Sequence, residues 1–304
     1  MQRLIILHSN DLHGRIEALA RIGTLVERIR AEDPDVPVLY FDAGDVEEPA
    51  LWLSHITRGR AMRRLLGKAG CDAYAVGNGM FFYGPNVLAG PAEQAPFPML
   101  LANMRLNGGA YLPGVQPAAT FEVGSLRLGV VGVTDDPPVF EERMGVQMPE
   151  ASGVVREQAA ALRAAGVDAV IVLSHMGMDH DWGRGSDPQL AQSLQGVVPL
   201  IIGGHSHTLL PEGERIGDVV IAQAGCYGEY LGRIDLTWDG ARLQVASVAV
   251  LPVPEDTPPS PAVLAELEAV RQEIPPLNRR LGETIGFALA RFFLKLDRMR
   301  RGKR

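Results

Sequence analysis

The chain has 304 residues, of which 46% are hydrophobic and 21% charged, values typical of a soluble globular protein that buries a substantial core. This composition excludes a disordered, collagen-like or coiled-coil chain. The net charge of −7 argues against general nucleic-acid binding. No apolar stretch approaches the roughly 20 residues that span a bilayer, and the first apolar run is too short for a secretory signal. Two cysteines are too few for a disulfide framework, so we expect a cytoplasmic protein.

Short apolar runs alternate with helical patterns as far as residue 230. The runs that predict buried strands are Leu4–Leu7, Val36–Phe41, Ala73–Val76, Met99–Leu101, Ala169–Leu173 and Leu200–Ile202. Apolar spacings of three and four predict a helix over 16–29, and a second helix begins at Ser152 and stops before Gly166. Turn residues at 124–125 and 239–240 predict two hairpins. Together these elements predict an α/β domain with mixed sheets.

The composition of the sequence changes near residue 252. Five prolines between 252 and 261 predict a stiff linker, so residues 1–252 form one predicted domain and residues 253–304 a helical tail. Helices are expected over about 262–274 and 283–301, and the second carries a basic end. Its apolar residues, at spacings of three and four, are Ile285, Leu289, Phe292, Leu296 and Met299. Docking on its own domain, dimerisation and contact with an anionic membrane surface are the open interpretations of this helix.

Polar side chains with metal-binding atoms follow five of the predicted strands. They are Asp11, His13, Asp45, Asn78, His175, His205 and His207. Ligands of α/β sheets gather at the carboxyl ends of strands, and residues i and i+2 of an extended segment point to the same side. Seven such donors exceed the needs of one tetrahedral zinc ion but suit two ions that share a carboxylate. The mixture of carboxylate, amide and imidazole fits Mn, Fe, Zn or Ni and disfavours a calcium site.

Each of these motifs has an ordinary interpretation when it stands alone. An Asp-x-His pair is as often a helix cap beside a loop histidine, and Gly-Asp is a common turn. Their occurrence in order, each directly after a predicted strand, favours a metal centre over unrelated loops.

The same residues resemble the five motifs of the calcineurin-like metallophosphoesterases. The surroundings are similar to the 5′-nucleotidase branch of that family over roughly residues 3–252. The stretches that carry this second resemblance are Leu7–Gly14, Asp42–Asp45, Ile201–His207, Gln223–Gly225 and Leu231–Arg233.

The resemblance implies a four-layer α-β-β-α sandwich with two divalent metal ions at one rim. Asp11, His13, Asp45 and His207 would hold one ion, while Asp45, Asn78, His175 and His205 would hold the other, with Asp45 as the bridge. Manganese is the favoured metal, and Zn, Fe, Ni, Co and Mg are alternatives. A hydroxide between the ions would attack phosphorus while the Asn78 amide and the cations neutralise the phosphoryl oxygens.

One motif departs from the family pattern. The family's third motif reads Gly-Asn-His-Glu, followed two residues later by an aspartate, whereas this chain has Gly79 in place of the histidine and Phe82 in place of the aspartate. The dyad that would protonate the leaving group is therefore missing, a contribution of about 10²–10⁴-fold. Either His180 or His8 supplies the acid, or the substrate needs none, or turnover is slow.

The resemblance also implies a second domain that recognises nucleotides. Residues 283–286 resemble its start and the chain stops about twenty residues later, so we expect this domain to be missing and leave the substrate-binding residues unassigned. Loop 46–60, with Trp52 and His55, is a candidate pocket segment, although packing explains Trp52 equally well.

These observations lead to one main hypothesis of function. The chain is expected to be a two-metal phosphoester hydrolase that acts on a small phosphorylated substrate, with a nucleotide as one candidate. The alternative is a metal-binding but catalytically silent regulatory or scaffold protein. A thioester or sulfur-ester hydrolase is a more distant alternative, because a sulfur leaving group needs no proton donor.

Overall fold

The computed structural model of the protein describes residues 1–83, 95–179 and 183–276. Within these ranges the chain forms two six-stranded sheets, a two-stranded ribbon, seven α-helices and a 3₁₀ turn at Asn78–Tyr83. The helices are α1 (Ile16–Glu32), α2 (Trp52–Thr57), α3 (Arg60–Lys68), α4 (Pro138–Met144), α5 (Ala151–Ala164), α6 (Asp187–Ser193) and α7 (Pro261–Glu273).

The first sheet combines the two ends of the described chain. Its strands, in spatial order, are β14 (Leu243–Pro252), β13 (Tyr230–Trp238), β1 (Gln2–Ser9), β2 (Val38–Asp42), β3 (Ala73–Ala75) and β4 (Met99–Leu100). Strands β1 to β4 run parallel, whereas β13 pairs antiparallel with both β1 and β14. The predicted hairpin at 239–240 joins β13 to β14, and the sheet is mixed as expected.

The second sheet is built from the middle of the chain. Its strands, in spatial order, are β11 (Glu214–Ile216), β12 (Val219–Ala222), β10 (Leu200–Ile202), β9 (Ala169–His175), β7 (Leu126–Thr134) and β6 (Ala118–Val123). The four inner strands are parallel and both edge strands are antiparallel. The small ribbon pairs β5 (Arg105–Leu106) with β8 (Val146–Gln147).

Three apolar clusters stack these elements into four layers. The middle cluster joins the facing sides of the two sheets, with Ile6 and Phe41 from the first sheet and Ile171 from the second. A second cluster packs α1 and α3 onto the outer side of the first sheet, and a third packs α5 and α6 onto the outer side of the second. The α/β fold predicted as an α-β-β-α sandwich is therefore confirmed.

The helix predicted from Ser152 begins one residue earlier and is capped differently. Its cap is Glu150, whose carboxylate accepts hydrogen bonds from the backbone amides of Ser152 and Gly153 at 2.9 and 2.8 Å. A carboxylate at this end also interacts favourably with the helix dipole. Glu150 therefore takes the role that the sequence pattern assigned to Ser152.

The segment after residue 252 returns to the body of the fold. The Ser260 amide donates to the Ala20 carbonyl at 2.8 Å, and α7 packs against α1 and α3. The division into domains 1–252 and 253–304 stays a prediction, and the predicted helix over 283–301 lies outside the described residues. Among the helices that are described, none is both long enough and apolar enough to cross a membrane.

Candidate metal centre

The seven predicted ligands follow the carboxyl ends of parallel strands from both sheets. Asp11 and His13 follow β1, Asp45 follows β2, and Asn78 follows β3. On the second sheet, His175 is the last residue of β9, and His205 and His207 follow β10. Because these strands end at one rim of the sandwich, the fold brings all five predicted motifs to the same place.

Five of the seven predicted ligands have a left-handed backbone. Asp11, His13, Asp45, His205 and His207 have φ values of 52°, 44°, 55°, 75° and 57°. Such a conformation costs a residue with a side chain of the order of 1–3 kcal/mol and persists only where surrounding structure holds it. Strain of this kind is concentrated at functional sites, and here it is found at most of the predicted ligands.

Hydrogen bonds between two loops hold this strained backbone. The amides of Asp11 and His13 donate to the carbonyls of Gly44 and Asp45, both at 2.9 Å, and the Gly14 amide donates to Val46 at 2.8 Å. The loops after β1 and β2 therefore form a paired unit. This pairing places the Asp11 and Asp45 carboxylates side by side.

One group of ligand atoms surrounds Asp11. Its Oδ1 lies 3.4 Å from His207 Nε2 and 3.7 Å from His13 Nε2, and the two imidazole nitrogens are 3.0 Å apart. Its Oδ2 accepts hydrogen bonds from the Asn10 side chain at 2.8 Å and from the His205 amide at 2.9 Å. The second oxygen is thereby fixed and Oδ1 is aimed at the two imidazoles.

A second group of ligand atoms surrounds His175. Its Nε2 lies 3.3 Å from Asp45 Oδ2 and 3.1 Å from Asn78 Oδ1, which is also 2.9 Å from His205 Nδ1. The opposite ring nitrogen, His175 Nδ1, is 2.7 Å from the Ala43 carbonyl. A proton on Nδ1 satisfies that carbonyl and leaves the Nε2 lone pair for a cation, the usual support of a metal-binding histidine.

These side chains fit divalent cations. Asp11 is 1% exposed, and its Oδ1 is a buried oxygen that accepts no hydrogen bond from the part of the protein that the structure describes. Two atoms that bind one ion at about 2.1 Å lie roughly 3.0–3.4 Å apart, close to the separations found here. The two compact groups, Asp11–His13–His207 and Asp11–Asp45–His175, have Asp11 in common. The bridging role that the resemblance assigns to Asp45 stays a prediction.

The surroundings of the metal centre also shift the pKa values of its histidines. Burial lowers the pKa of His175, but the Asp45 and Asp11 carboxylates outweigh it and raise that pKa to about 10. Burial likewise opposes protonation of His207, and Asp11 raises its pKa to about 10. Burial lowers the pKa of His205 to about 4, so this imidazole is neutral at pH 7 and can bind a metal. A divalent cation competes with protons for the same lone pairs.

Comparisons with known proteins agree with this arrangement. No protein-family model matches the chain. It is 27% identical to the trifunctional nucleotide phosphoesterase protein YfkN of Bacillus subtilis over 92% of its own length, and 28% identical to the snake venom 5′-nucleotidase of Naja atra over 93%. The alignments cover 21% of YfkN and 59% of the venom protein, so the chain corresponds to part of each relative.

Comparison with solved structures also finds 5′-nucleotidases and phosphoesterases. The 5′-nucleotidase precursor of Thermus thermophilus matches 89% of this chain and 59% of its own, with a TM-score of 0.74 and 27% identity. The chain is a homologue of the 5′-nucleotidases and calcineurin-like phosphoesterases. The calcineurin-like phosphoesterase YfkN of Bacillus subtilis shares the fold, with a TM-score of 0.75 over 93% of this chain and 99% of its own at 21% identity.

The altered third motif lies against Asp45. The Gly79 amide donates to Asp45 Oδ1 at 2.8 Å, and a Cβ atom added to Gly79 would come within 2.9 Å of the same oxygen. Phe82, in the position of the second dyad member, is 75% exposed. Neither position offers a side-chain proton donor.

Of the two histidines predicted as substitute acids, the structure describes only His8. His8 is fully buried next to Gly232, and burial lowers its pKa to about 4, so it is neutral near pH 7. His180 lies outside the described residues. In the candidate pocket segment His55 is exposed, whereas Glu48 comes 3.6 Å from His13 Nδ1.

Several residues around the metal centre were missed by the sequence analysis. Asp135, just after β7, places its Oδ2 3.8 Å from His205 Nε2. The Tyr227 ring lies 5.7 and 5.5 Å from those of His13 and His207. Tyr227 follows the Gln223–Gly225 stretch, so the family motif marked its neighbourhood but not its contacts.

Proposed function

We propose that this chain is a two-metal-dependent phosphoester hydrolase of the 5′-nucleotidase type. The convergence of the Asp45 carboxylate and of the His13, His175 and His207 imidazoles on the buried Asp11 Oδ1 carries the proposal. Sequence similarity to nucleotide phosphoesterases over more than nine-tenths of the chain supports the same reaction class. The substrate is a small phosphorylated compound, and a nucleotide is one candidate.

Each of the predicted ligands has a role in the proposed reaction. Asp11, His13, Asp45 and His207 would hold one divalent cation, and Asp45, Asn78, His175 and His205 the other, with Asp45 as the bridge and manganese as the favoured metal. Such cations lower the pKa of bound water and stabilise negative charge on a phosphoryl group. The Asn78 amide lies between His175 and His205, where it can also face the phosphoryl group.

The altered third motif restricts the substrates. Gly79 and Phe82 cannot protonate a leaving group, so an alkoxide leaves slowly, whereas an aryl oxide or a phosphate leaves without a proton. We therefore expect hydrolysis of activated esters and anhydrides to exceed that of alkyl esters.

A substrate and metal screen tests the proposed function. Purified protein loaded with Mn, Ni, Co, Zn or Mg is given an aryl phosphomonoester, an aryl phosphodiester, pyrophosphate and a nucleoside monophosphate. Metal-dependent turnover of the aryl ester or pyrophosphate, absent from Asp45→Asn, is the expected result. No turnover with any metal would contradict it and favour the metal-binding but silent protein.

A further inference from the structure

Arg15 is held beside the metal centre by an aromatic ring. Its guanidinium carbon lies 4.7 Å from the centre of the Tyr227 ring. The same ring contacts the imidazoles of His13 and His207, at centroid distances of 5.7 and 5.5 Å. Arg15 is thus linked through one aromatic ring to two of the predicted metal ligands.

The backbone fixes both members of this cation–aromatic pair. The Tyr227 amide donates to the Asp11 carbonyl at 2.8 Å, and Tyr227 has a left-handed φ of 59°. The Arg15 amide donates to the Leu12 carbonyl at 3.0 Å, at the point where α1 begins. Because both backbones are tied to the Asp11–His13 loop, the guanidinium is positioned before any ligand arrives.

The charge of Arg15 has no anionic partner within the described ranges. Its half-buried side chain makes no hydrogen bond or ion pair with residues 1–83, 95–179 or 183–276, although the chain as a whole carries a net charge of −7. A guanidinium stacked on an aromatic ring keeps its hydrogen-bond donors at the edge, where they match a phosphate.

We propose that Arg15 is a binding residue for a second phosphate group of the substrate, so that the site prefers phosphoanhydrides to simple monoesters. This inference rests on the proposed phosphoester hydrolysis. It has independent support from the loss of the proton-donating positions at Gly79 and Phe82, because a phosphate leaving group needs no proton.

The reaction balances with water alone. Oxygen from water bonds to the attacked phosphorus, and the bond from that phosphorus to the bridging oxygen breaks. The electron pair stays on the departing phosphate, and the protons of the attacking water pass to the two phosphate products and the solvent. A departing phosphate monoester has a second pKa of about 6, so it is largely ionised near neutral pH. Arg15 would neutralise the negative charge that grows on the departing phosphate. For an alkoxide leaving group, a general acid does this by donating a proton.

Ligand binding tests the inference apart from turnover. Methylenediphosphonate and methylphosphonate are titrated calorimetrically into manganese-loaded protein, with the free manganese concentration held equal. The wild type is expected to bind the diphosphonate more tightly. Arg15→Gln should lose about 10-fold or more of that affinity, because it loses charge-assisted hydrogen bonds to the second phosphonate. Affinity for methylphosphonate should change less than about 3-fold, because it lacks the second phosphonate that the inference assigns to Arg15.

Two further variants control for charge and for positioning. Arg242→Gln makes the same charge change at an exposed arginine beyond the predicted turn at 239–240, and should leave both affinities unchanged. Tyr227→Leu removes the ring beneath Arg15 and should reproduce the selective loss, whereas Tyr227→Phe should not. Equal losses for both phosphonates, or no loss in Arg15→Gln, would overturn the inference.

Steady-state kinetics separate this inference from the proposed function and distinguish two sources of the second phosphate. Arg15→Gln should lower kcat/KM for pyrophosphate and for a nucleoside diphosphate while preserving that for an aryl monophosphate. A loss for the nucleoside diphosphate alone would identify a nucleotide site. Selective diphosphonate binding without turnover of any substrate would retain the inference and contradict the hydrolase. Turnover of all substrates at the same rate in Arg15→Gln as in the wild type would support the hydrolase and contradict the inference.

Discussion

The Gly79 amide hydrogen-bonds to Asp45 Oδ1 at 2.8 Å, so the residue that replaces the family histidine holds a predicted metal ligand directly. The other carboxylate oxygen, Oδ2, lies 3.3 Å from His175 Nε2. Gly79 thus fixes one oxygen of Asp45 and leaves the second for the metal centre. The donor is a backbone amide, which a histidine would also supply, so the change from histidine to glycine removes the acid but not this hydrogen bond.

Gly79→Ala should weaken metal binding. Its new Cβ would come within 2.9 Å of Asp45 Oδ1, so the carboxylate must move, and we expect about a 10-fold loss of manganese affinity. Calorimetric titration of manganese checks this, with the exposed Phe82→Ala as a control that should bind normally. Unchanged affinity in Gly79→Ala would contradict the tight contact.

The double variant Gly79→His with Phe82→Asp restores the family dyad. An added proton donor would accelerate hydrolysis of alkyl phosphates, but the contact with Asp45 should lower metal affinity at the same time. We therefore expect a gain in kcat on alkyl phosphates at saturating manganese together with a higher manganese requirement. A gain in kcat with an unchanged manganese requirement would contradict the expected contact, because it would show that Asp45 moves without loss of metal affinity.

Asp45→Asn should remove metal and activity together. The substitution deletes the negative charge that faces His175, so bound manganese should fall below that of the wild type and turnover by about 10³-fold or more. Elemental analysis and an aryl phosphate assay check both effects, and the exposed Asp256→Asn is the matched control. Full activity in Asp45→Asn would refute the assignment of this ligand.

Asp135 should support His205 as a metal ligand. Its Oδ2 faces His205 Nε2 at 3.8 Å, and its amide donates to the His175 carbonyl at 3.0 Å. Asp135→Asn should reduce affinity for one of the two ions by about 10–100-fold. The neighbouring Asp136→Asn, whose Oδ1 accepts from the Arg184 amide, is the control. Equal effects of both substitutions on manganese titration would argue for a general structural role.

A buried ion pair braces the loop that follows Asp45. Glu47 and Arg63 are 0% and 1% exposed, with 3.3 Å between Oε1 and Nη1. Arg63→Met leaves a buried carboxylate unpaired and should cost about 3–5 kcal/mol of unfolding free energy. The same substitution at Arg60, whose partner Glu273 is 42% exposed, should cost less than about 1 kcal/mol. Urea denaturation that shows equal costs would contradict the difference in burial.

Asp187 should make stability depend on pH. Burial raises the pKa of this carboxyl to about 7, while the unfolded value is about 4. Between these values the unfolded state ionises and the folded state keeps its proton, so the free energy of unfolding falls as pH rises from about 4 to about 7. Asp187→Asn should flatten this slope in urea denaturation, and Asp256→Asn should not. An unchanged slope in Asp187→Asn would contradict the raised pKa.

The sequence predicted the sheets and the placement of the ligand side chains for a simple physical reason. Buried parallel strands read as short apolar runs, and ligands in such folds follow their carboxyl ends. That is why the loops carrying Asp11, Asp45 and His175 could be assigned in advance. The cytoplasmic location stays a prediction. The dimer or membrane contact of the tail also stays a prediction, because residues 283–301, where a helix is predicted, lie outside the described residues.

The features that the sequence did not reveal depend on contacts between distant residues. The left-handed backbone of Asp11 and His13 is held by the loop after β2, and no local pattern encodes it. The approach of Arg15 to Tyr227 joins the first and last thirds of the described chain. Asp135 carries no motif of its own and is identified only by its distance from His205.

The presence of two cations is tested most directly by anomalous scattering. Crystals grown with manganese and measured at the manganese edge should show two peaks, roughly 3.5–4 Å apart, within reach of the carboxylates of Asp11 and Asp45. One peak should lie beside His13 and His207, and the other beside Asn78, His175 and His205. A map without peaks at this rim would contradict the metal centre and the hydrolytic function built on it.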